Sequence, residues 1–294
     1  MDSLLTIVIP CYNEQENIPA FFPGLLKRAE AESWQVIVVN DGSADNSAAE
    51  LAKFADSPYL TVLHHKCNRG YGAAIKSGLR AVKTDYAITI DSDGQHRLDD
   101  VKKCFDHMLA TDADLTVGAR TNNESGGYRT LGKKVIRCFA ASLLELPVRD
   151  LNSGMKCYRV SETLNYLELC PDTMAFSDVV LLLMVNDRKL VTEIPITVEP
   201  RAAGKSTIGT KTALVTLAEI LNLAILLRPI TTFFRVGLVF VLLGLSWSVF
   251  TYVKSWTISS AAVLLIIFGC FCFVLGLLGE QLTQIRRALA RKDR

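Results

Sequence analysis

Two carboxylates one residue apart, Asp91 and Asp93, close the apolar run of "ITIDSDGQH" (Ile88 to His96) and are followed by a glycine and an amide. In an extended backbone, residues i and i+2 project together, so the two side chains are expected on one side. Unpaired carboxylates held that close repel, which raises one pKa unless a cation sits between them. A bound metal ion is one answer. His96 is read as a loop residue beside that site, because oxygen donors already fill the motif.

The segments that must position these groups alternate between strand and helix patterns through the first two hundred residues. Leu4 to Pro10, "WQVIVVNDGS", Leu60 to His65, "DYAITIDSD" and "ADLTVGAR" read as strands. "NIPAFFPGLLKRAEA" and "GYGAAIKSGLRAV" read as helices, the first with Phe21, Leu25, Leu26 and Ala29 on one face. Such alternation predicts an α/β fold with a mainly parallel sheet, and ligands bind at the carboxyl ends of such strands. Those ends carry Pro10, Tyr12 and Glu14, then Val39 and Asp41, then Asp91 and Asp93, then Arg120. Polar groups at four strand ends predict a nucleotide-sized cleft.

The chain has 294 residues, half of them hydrophobic, and a mean hydropathy of +0.26. The apolar excess lies at the carboxyl end. Uncharged runs separate Arg235 from Lys254 and Lys254 from Glu280, each near or above the roughly 20 residues that cross a hydrocarbon core. Two spans are expected, about residues 233–253 and 256–279. Arg228 and Arg235 precede the first, "QIRRALARKDR" follows the second and only Lys254 lies between, which predicts that both ends are cytoplasmic, at a plasma or inner membrane. "MDSLLTIVIP" has no signal-peptide character, so the amino-terminal part is expected in the cytoplasm as well.

Before the spans, "KTALVTLAEILNLAILLRP" is apolar on one side but interrupted by Glu219. It is expected to lie along the interface as an amphipathic helix, with a buried helix of the soluble domain as the alternative. The division is then 1–210 catalytic, 211–229 juxtamembrane and 230–294 hairpin with a basic tail. Eight scattered cysteines without a CxxC pair predict reduced thiols and neither zinc nor disulfides. A net charge of +2 gives no reason to expect a nucleic-acid partner, while basic residues near the membrane end favour anionic head groups or a phosphate-bearing lipid. Gly237, Gly244, Gly269, Gly276 and Gly279 offer small faces for helix packing, within one hairpin or between copies in a homo-oligomer.

Taken together, "IVIPCYNEQENI", "VIVVNDGSADNS", "NRGYGAAIKSGL", "DSDGQH", "GAR" and "DLNSGMKCYR" occur in the order and rough spacing of family 2 glycosyltransferases. The set most resembles the branch of dolichol-phosphate mannose synthases and polyprenyl-phosphate glycosyltransferases. The resemblance implies a GT-A (Rossmann-like) fold, a UDP- or GDP-linked sugar donor, Mg²⁺ or Mn²⁺, inversion at the anomeric carbon and a polyprenyl (dolichyl or undecaprenyl) phosphate acceptor. Carried over by position, it implies nucleoside contacts from Pro10, Tyr12, Glu14, Val39 and Asp41. It places Asp91, Ser92 and Asp93 at the ribose, diphosphate and metal, with Gln95 as a further metal ligand. Arg120 resembles the arginine facing donor phosphates and acceptor, and Arg201 and Lys205 the late basic pair that closes over the diphosphate. Asp150 resembles a position proposed for acceptor activation, and Asp178 stands where relatives carry another carboxylate. Asn40 departs from the usual "DDGS" and Lys156 from the arginine of "SGFR", the second keeping charge but losing a bidentate fork.

The chemistry also follows from the residues. Breaking a sugar–diphosphate bond leaves negative charge on the leaving group, which a hard cation held by oxygen ligands stabilises. A phosphate monoester acceptor, with a second pKa of about 6, is largely dianionic in the cytoplasm and needs cations more than a base. Arg129, Lys133, Lys134 and Arg137 lie in a segment that the resemblance places near the acceptor and are the candidates, Arg129 and Lys133 foremost; at helical spacing Arg129, Lys133 and Arg137 share a face, which is otherwise a solvated basic one. The alternatives are a processive polysaccharide synthase, weakened by the absence of QxxRW and by only two spans, and a catalytically silent nucleotide-sugar-binding scaffold, weakened by the intact DxDxQ, Arg120 and Arg201.

Overall fold

The structure is a computed structural model that describes residues 3–121, 148–151, 153–199, 228–257 and 259–292. Arg129, Lys133, Lys134, Arg137, Arg201, Lys205 and almost all of the expected juxtamembrane helix lie outside the described residues. The chain divides into two compact units, Met1–Thr212 and Ala213–Arg294.

In the first unit the order is β1 (Leu5–Cys11), α1 (Ile18–Glu32), β2 (Gln35–Asn40), α2 (Ser47–Ala52), β3 (Leu60–His64), α3 (Tyr71–Ala81), β4 (Tyr86–Thr89), α4 (Leu98–Thr111) and β5 (Leu115–Arg120). After the undescribed stretch come β6 (Lys156–Arg159), α5 (Val160–Thr163), a 3₁₀ turn (Leu164–Leu169), α6 (Phe176–Asn186) and β7 (Val191–Ile196). The seven strands form one sheet in the order β3-β2-β1-β4-β6-β5-β7. Pairing is parallel except for β6, which runs antiparallel to both β4 and β5. The mainly parallel expectation holds, with one reversed strand inside it.

Strand alternation divides the core. Leu5, Ile7 and Ile9 of β1, with Val36 and Val38 of β2, pack with Phe22 and Leu25 of α1 and Val101, Cys104 and Met108 of α4. Ile37 and Val39 turn the other way and meet Ala74 of α3. Each such side chain, fully buried, contributes about 1.5–3 kcal/mol, so the strand ends are anchored between two helical layers. In α1 the fully buried face is Ile18, Phe22, Leu25 and Ala29, while Phe21 and Leu26 are partly buried at its margin. The spacing reading caught half of that face, because a 100° apolar stripe admits neighbouring choices.

The second unit is a hairpin of α7 (Pro229–Ser255) and α8 (Ser260–Lys292). Both helices are long and apolar enough to cross a membrane, and little of either is buried. Their bounds differ from the sequence reading: Pro229 opens α7 in its first turn, where a missing N–H costs nothing, and α8 runs on into the basic tail. The five glycines are used inside the hairpin. A Cβ on Gly237 would stand 2.6 Å from the Gly269 carbonyl oxygen, and one on Gly244 2.7 Å from Ile266; Gly276 faces Phe233 and Gly279 faces Pro229. Phe234–Phe273 and Phe240–Phe268 ring pairs, with centroids 4.9 and 4.8 Å apart, flank this seam.

Gly237→Val is therefore expected to weaken the hairpin by about 1–3 kcal/mol, as overpacking does, and to lower the thermal midpoint of the detergent-solubilised chain. Gly24→Ala in α1, where a Cβ meets nothing within 4 Å, is expected to raise stability by about 0.5–1 kcal/mol. Equal midpoints for the two variants would contradict the seam.

Candidate active site

The strand order reverses direction between β1 and β4, so the loops leaving their carboxyl ends diverge and leave a crevice. Tyr12 to Asn17 border it on one side and the 91–95 turn on the other. β4 stops at Thr89, and residues 92–94 form a turn with Gly94 at φ 73°. This corrects the argument from strand alternation, since Asp91 and Asp93 lie beyond the extended segment and period 2 does not apply to them. The turn places them instead. Asp91 N–H donates to His96 Nδ1 at 3.2 Å, and Asp93 Oδ1 accepts the Gln95 N–H at 3.2 Å. His96 thus supports the turn, as the sequence suggested. Gly154 presses on the Asp91 carboxylate, where a Cβ would stand 2.6 Å from Oδ2, and Tyr71 Oη approaches Oδ1 at 3.4 Å. Burial, then the Asp91 charge, pushes the Tyr71 phenol well above its usual pKa and keeps it a donor.

The loops after β1 and β2 are laced together. Asn13 N–H donates to Ser43 Oγ (3.0 Å), Glu14 N–H to Ser47 Oγ (2.8 Å) and Gln15 N–H to Asp45 Oδ2 (3.2 Å), while Asn13 Oδ1 accepts from Ala44 N–H (2.8 Å). Tyr12, beside these loops in the chain, stands 45% exposed and outside the core. Pro10 and Val39 are register partners in β1 and β2, and Val39 packs into the core under α3, so what it offers a ligand is backbone. Asp41 is buried and its carboxylate is occupied: Oδ1 meets His65 Nδ1 (2.6 Å) and accepts Arg69 N–H (2.9 Å), and Oδ2 accepts Gly70 N–H (2.8 Å). His65 Nε2 in turn meets Ser77 Oγ at 2.9 Å. Asp41 shapes the 65–70 loop. Asn40 is likewise buried, its Oδ1 accepting Ser43 N–H (3.1 Å) and its Nδ2 meeting His64 Nδ1 (3.2 Å), so the departure from "DDGS" acts on a turn. Burial pushes the Cys11 thiol up to about 12, which leaves it inert.

Arg120, the last residue of β5, forms a bidentate fork with Asp150: Nε to Oδ2 at 2.6 Å and Nη2 to Oδ1 at 2.8 Å, with the Arg120 N–H also donating to Oδ2 at 3.2 Å. Burial alone would push the Asp150 carboxyl up, but the Arg120 hydrogen bonds and charge overcome it and hold it below the ordinary range. The Asp150 hydrogen bonds in turn hold the guanidinium above its ordinary value. A carboxylate so engaged is a weak proton acceptor. Asp178, in the first turn of α6, contributes to the field at Arg120, Lys156 and Tyr71.

The family description that matches residues 6–160 is glycosyl transferase family 2. The chain belongs to that family. A second match, the GtrB C-terminal hairpin, covers residues 228–285 and agrees with α7 and α8. The glycosyltransferase is 26% identical over 304 residues to an undecaprenyl-phosphate 4-deoxy-4-formamido-L-arabinose transferase of Sodalis glossinidius, covering 99% of this chain and 91% of the relative. It is 28% identical over 170 residues to a dolichyl-phosphate β-glucosyltransferase of Trichomonas vaginalis, 52% of each chain. Among solved structures it resembles glucosyl-3-phosphoglycerate synthase from Mycobacterium tuberculosis in complex with Mn²⁺, UDP-glucose and phosphoglyceric acid, with a TM-score of 0.59, 19% identity and coverage of 76% and 79%. It also resembles TarS of S. aureus with UDP, at TM-score 0.52 and 17% identity, covering 76% of this chain and 64% of that one. The GT-A fold follows.

The oxygen donors of this glycosyltransferase suit a divalent cation. Among the described residues no group of three or more His, Cys, Asp or Glu side chains could hold a metal. Mg²⁺-type sites use one or two carboxylates completed by substrate phosphates and water, and Asp91 with Asp93 matches that number. Gln95 Nε2 donates to the Glu199 carbonyl at 2.9 Å, which commits its NH₂ group and leaves the amide oxygen as the donor for a cation. Sequence reasoning missed His65, Tyr71 and Gly154. Only Gly154 carried a local signal, the glycine of the "NSG" turn.

Proposed function

We propose that the chain transfers a hexose from a UDP- or GDP-linked sugar to a polyprenyl phosphate, with inversion, at the cytoplasmic membrane face. The observation that carries this reading is the Arg120–Asp150 fork in the same GT-A domain as the Asp91–Gln95 turn, in a chain that also has an apolar hairpin. A lipid phosphate oxygen attacks the anomeric carbon, a new C–O bond forms, and the bond to the diphosphate breaks with its electron pair leaving on the β-phosphate oxygen. No proton need be abstracted, because the acceptor monoester is already largely a dianion. Asp91, Asp93 and Gln95 would hold a Mg²⁺ or Mn²⁺ ion, which would supply positive charge against the departing diphosphate.

Arg120 holds its guanidinium, fixed in direction by Asp150, toward phosphate oxygens, where a planar fork serves better than a flexible ammonium. Asp150 is assigned to orienting Arg120. Tyr12 covers the base, and the laced 13–15 and 43–47 loops with Glu14 and the backbone at Pro10 and Val39 form the nucleoside floor, while Asp41 serves it indirectly by holding the 65–70 loop. Ser92 lies at the ribose and diphosphate. Arg201 and Lys205 are assigned to the diphosphate, and Arg129 and Lys133 to the acceptor phosphate, on their sequence positions. The hairpin keeps the chain at the bilayer, where the acceptor resides, and the 211–229 segment lies at the interface.

The test is incubation of the purified full chain with a panel of UDP- and GDP-sugars, a polyprenyl phosphate and Mg²⁺ or Mn²⁺. One glycolipid product that disappears with chelator is expected. Donor hydrolysis without lipid product would reject the transfer.

A further inference from the structure

Lys156 opens β6 and is fully buried, one of the largest side chains in the core without solvent contact. An ammonium has three N–H donors, and all three are used: the Leu151 carbonyl at 2.7 Å, the Ser153 carbonyl at 3.0 Å and the hydroxyl of Ser177. The Ser177 hydroxyl passes its own hydrogen to the Ser153 carbonyl at 3.1 Å. Each of these three partners, among the described residues, is neutral. No carboxylate among the described residues forms an ion pair with Lys156, although Asp178, Asp150 and Asp91 act on it through space and Arg120 opposes them. Burial pushes this ammonium down to about 8, so it is still charged at neutral pH.

A buried charge without a direct counter-ion is costly, and an apolar side chain would serve the core better if packing were the whole purpose. What the ammonium joins explains its presence. Leu151 and Ser153 belong to the turn that begins at Asp150, the Arg120 partner, and continues to Gly154, which presses on the Asp91 carboxylate. Ser177 precedes Asp178 at the start of α6. The same turn is held from the sheet by Ser153 Oγ donating to the Gly118 carbonyl (2.5 Å) and Thr89 Oγ1 donating to the Gly154 carbonyl (2.8 Å). Lys156 bonds both that turn and α6, beside the direct bond from Ser177 to the Ser153 carbonyl.

We propose that Lys156 is a positioning residue, whose ammonium clamps the 151–153 turn to Ser177 and so sets the Arg120–Asp150 fork and Asp178 relative to one another for transfer. The catalytic part rests on the function proposed above, while the clamp itself is a statement about geometry. The experiment therefore has two arms, both on the full chain in detergent. In the first, the structure of Lys156→Met is determined. Displacement of the 151–153 turn with the fork opened beyond 4 Å is expected, and a fork retained at 2.6 and 2.8 Å overturns the clamp whatever reaction the enzyme performs.

In the second arm, glycolipid synthesis is followed for the wild type, Lys156→Met and Lys156→Arg. Lys156→Met is expected to lower kcat at least tenfold with the donor KM changed less than threefold, and Lys156→Arg to recover kcat to within threefold of wild type. A Met variant as active as wild type overturns the proposal, as does an Arg variant no better than Met, which would assign the loss to packing. If Lys156→Met does not fold, Ser177→Ala removes one arm of the clamp and keeps the lysine. It is expected to lower kcat three- to tenfold at unchanged donor KM, and unchanged kcat overturns the proposal. A wild type that makes no glycolipid at all counts against the transfer and leaves the first arm to decide the clamp.

Discussion

Asp93→Ala is expected to reduce glycolipid formation by about 10³-fold, the scale of losing a group that stabilises charge in the transition state, with the fold retained. Asp93 is buried in the turn after β4, and the bonds that the variant loses include the one from Gln95 N–H. A single bond of that kind contributes about 1 kcal/mol net, so the fold is expected to survive the substitution. The effect should fall on turnover and on the response to metal. Addition of Mn²⁺ across a wide concentration range is expected to leave the variant inactive, whereas the chelated wild type recovers. An Asp93→Ala enzyme with near wild-type turnover, shown folded by its thermal midpoint, would remove the metal from the proposed chemistry. Asp91→Asn serves as the companion variant, since the amide keeps the volume beneath Gly154 and removes the charge.

Arg120→Met is expected to lower kcat by about 10²-fold and, unlike Asp93→Ala, to cost stability as well. Asp150 would keep its burial and lose the two forked bonds, leaving a carboxylate without its counter-charge, which costs about 2–3 kcal/mol in a partly exposed pair. The pH dependence gives the sign. In the wild type Asp150 is held below its ordinary value of 3.8, so the pair contributes stability above pH 4 or so and loses it as the pH falls through the depressed folded value. In the variant the guanidinium's bonds and charge no longer oppose burial, and only the weaker pull of the residue 120 N–H and the Lys156 charge is left among the causes that lower it, so that pKa rises and the penalty at neutral pH is relieved on acidification. The stability gap between wild type and variant should therefore be widest above about pH 5 and close below pH 4. Denaturant midpoints across that range measure it, and a gap independent of pH would mean that the fork does not carry the charge interaction. Arg120→Lys is expected to restore part of the stability and little of the turnover, because an ammonium cannot reproduce the fork.

Much of the architecture was legible in the chain. β1 and β2 carry β-branched runs, Thr6 to Ile9 and Val36 to Val39, which is how strands buried on both faces read, and the glycine-led pattern at Tyr71 marked α3. β6 was not legible. "KCYR" places a cation at each end of four residues, and only the antiparallel partners on both sides make it a strand. β7 hides behind Glu193 and Pro195, and its parallel pairing with β5 at the sheet edge makes it a strand. In the hairpin, apolar length was plain, but the partner of the glycines was not, since a small face fits an adjacent helix or another copy equally well until the seam is seen.

At the site, the sequence by itself determined the chemical inventory: oxygen donors at 91, 93 and 95, an arginine at the end of β5, polar groups at successive strand ends, and an apolar tail suited to a bilayer. Residue type and local period suffice for these because they depend on neighbours within a few positions. The tertiary structure decided which of those groups are presented and which are consumed. Asp41 is spent on the 65–70 loop, Asp150 is spent on Arg120, and a lysine that read as a substitute arginine is a buried clamp. A charged side chain's role depends on which oppositely charged or hydrogen-bonding groups lie within about 3 Å, and those come from segments 24 to 30 residues away for Asp41 and Asp150. Long-range folding sets such distances, and no local spacing encodes them.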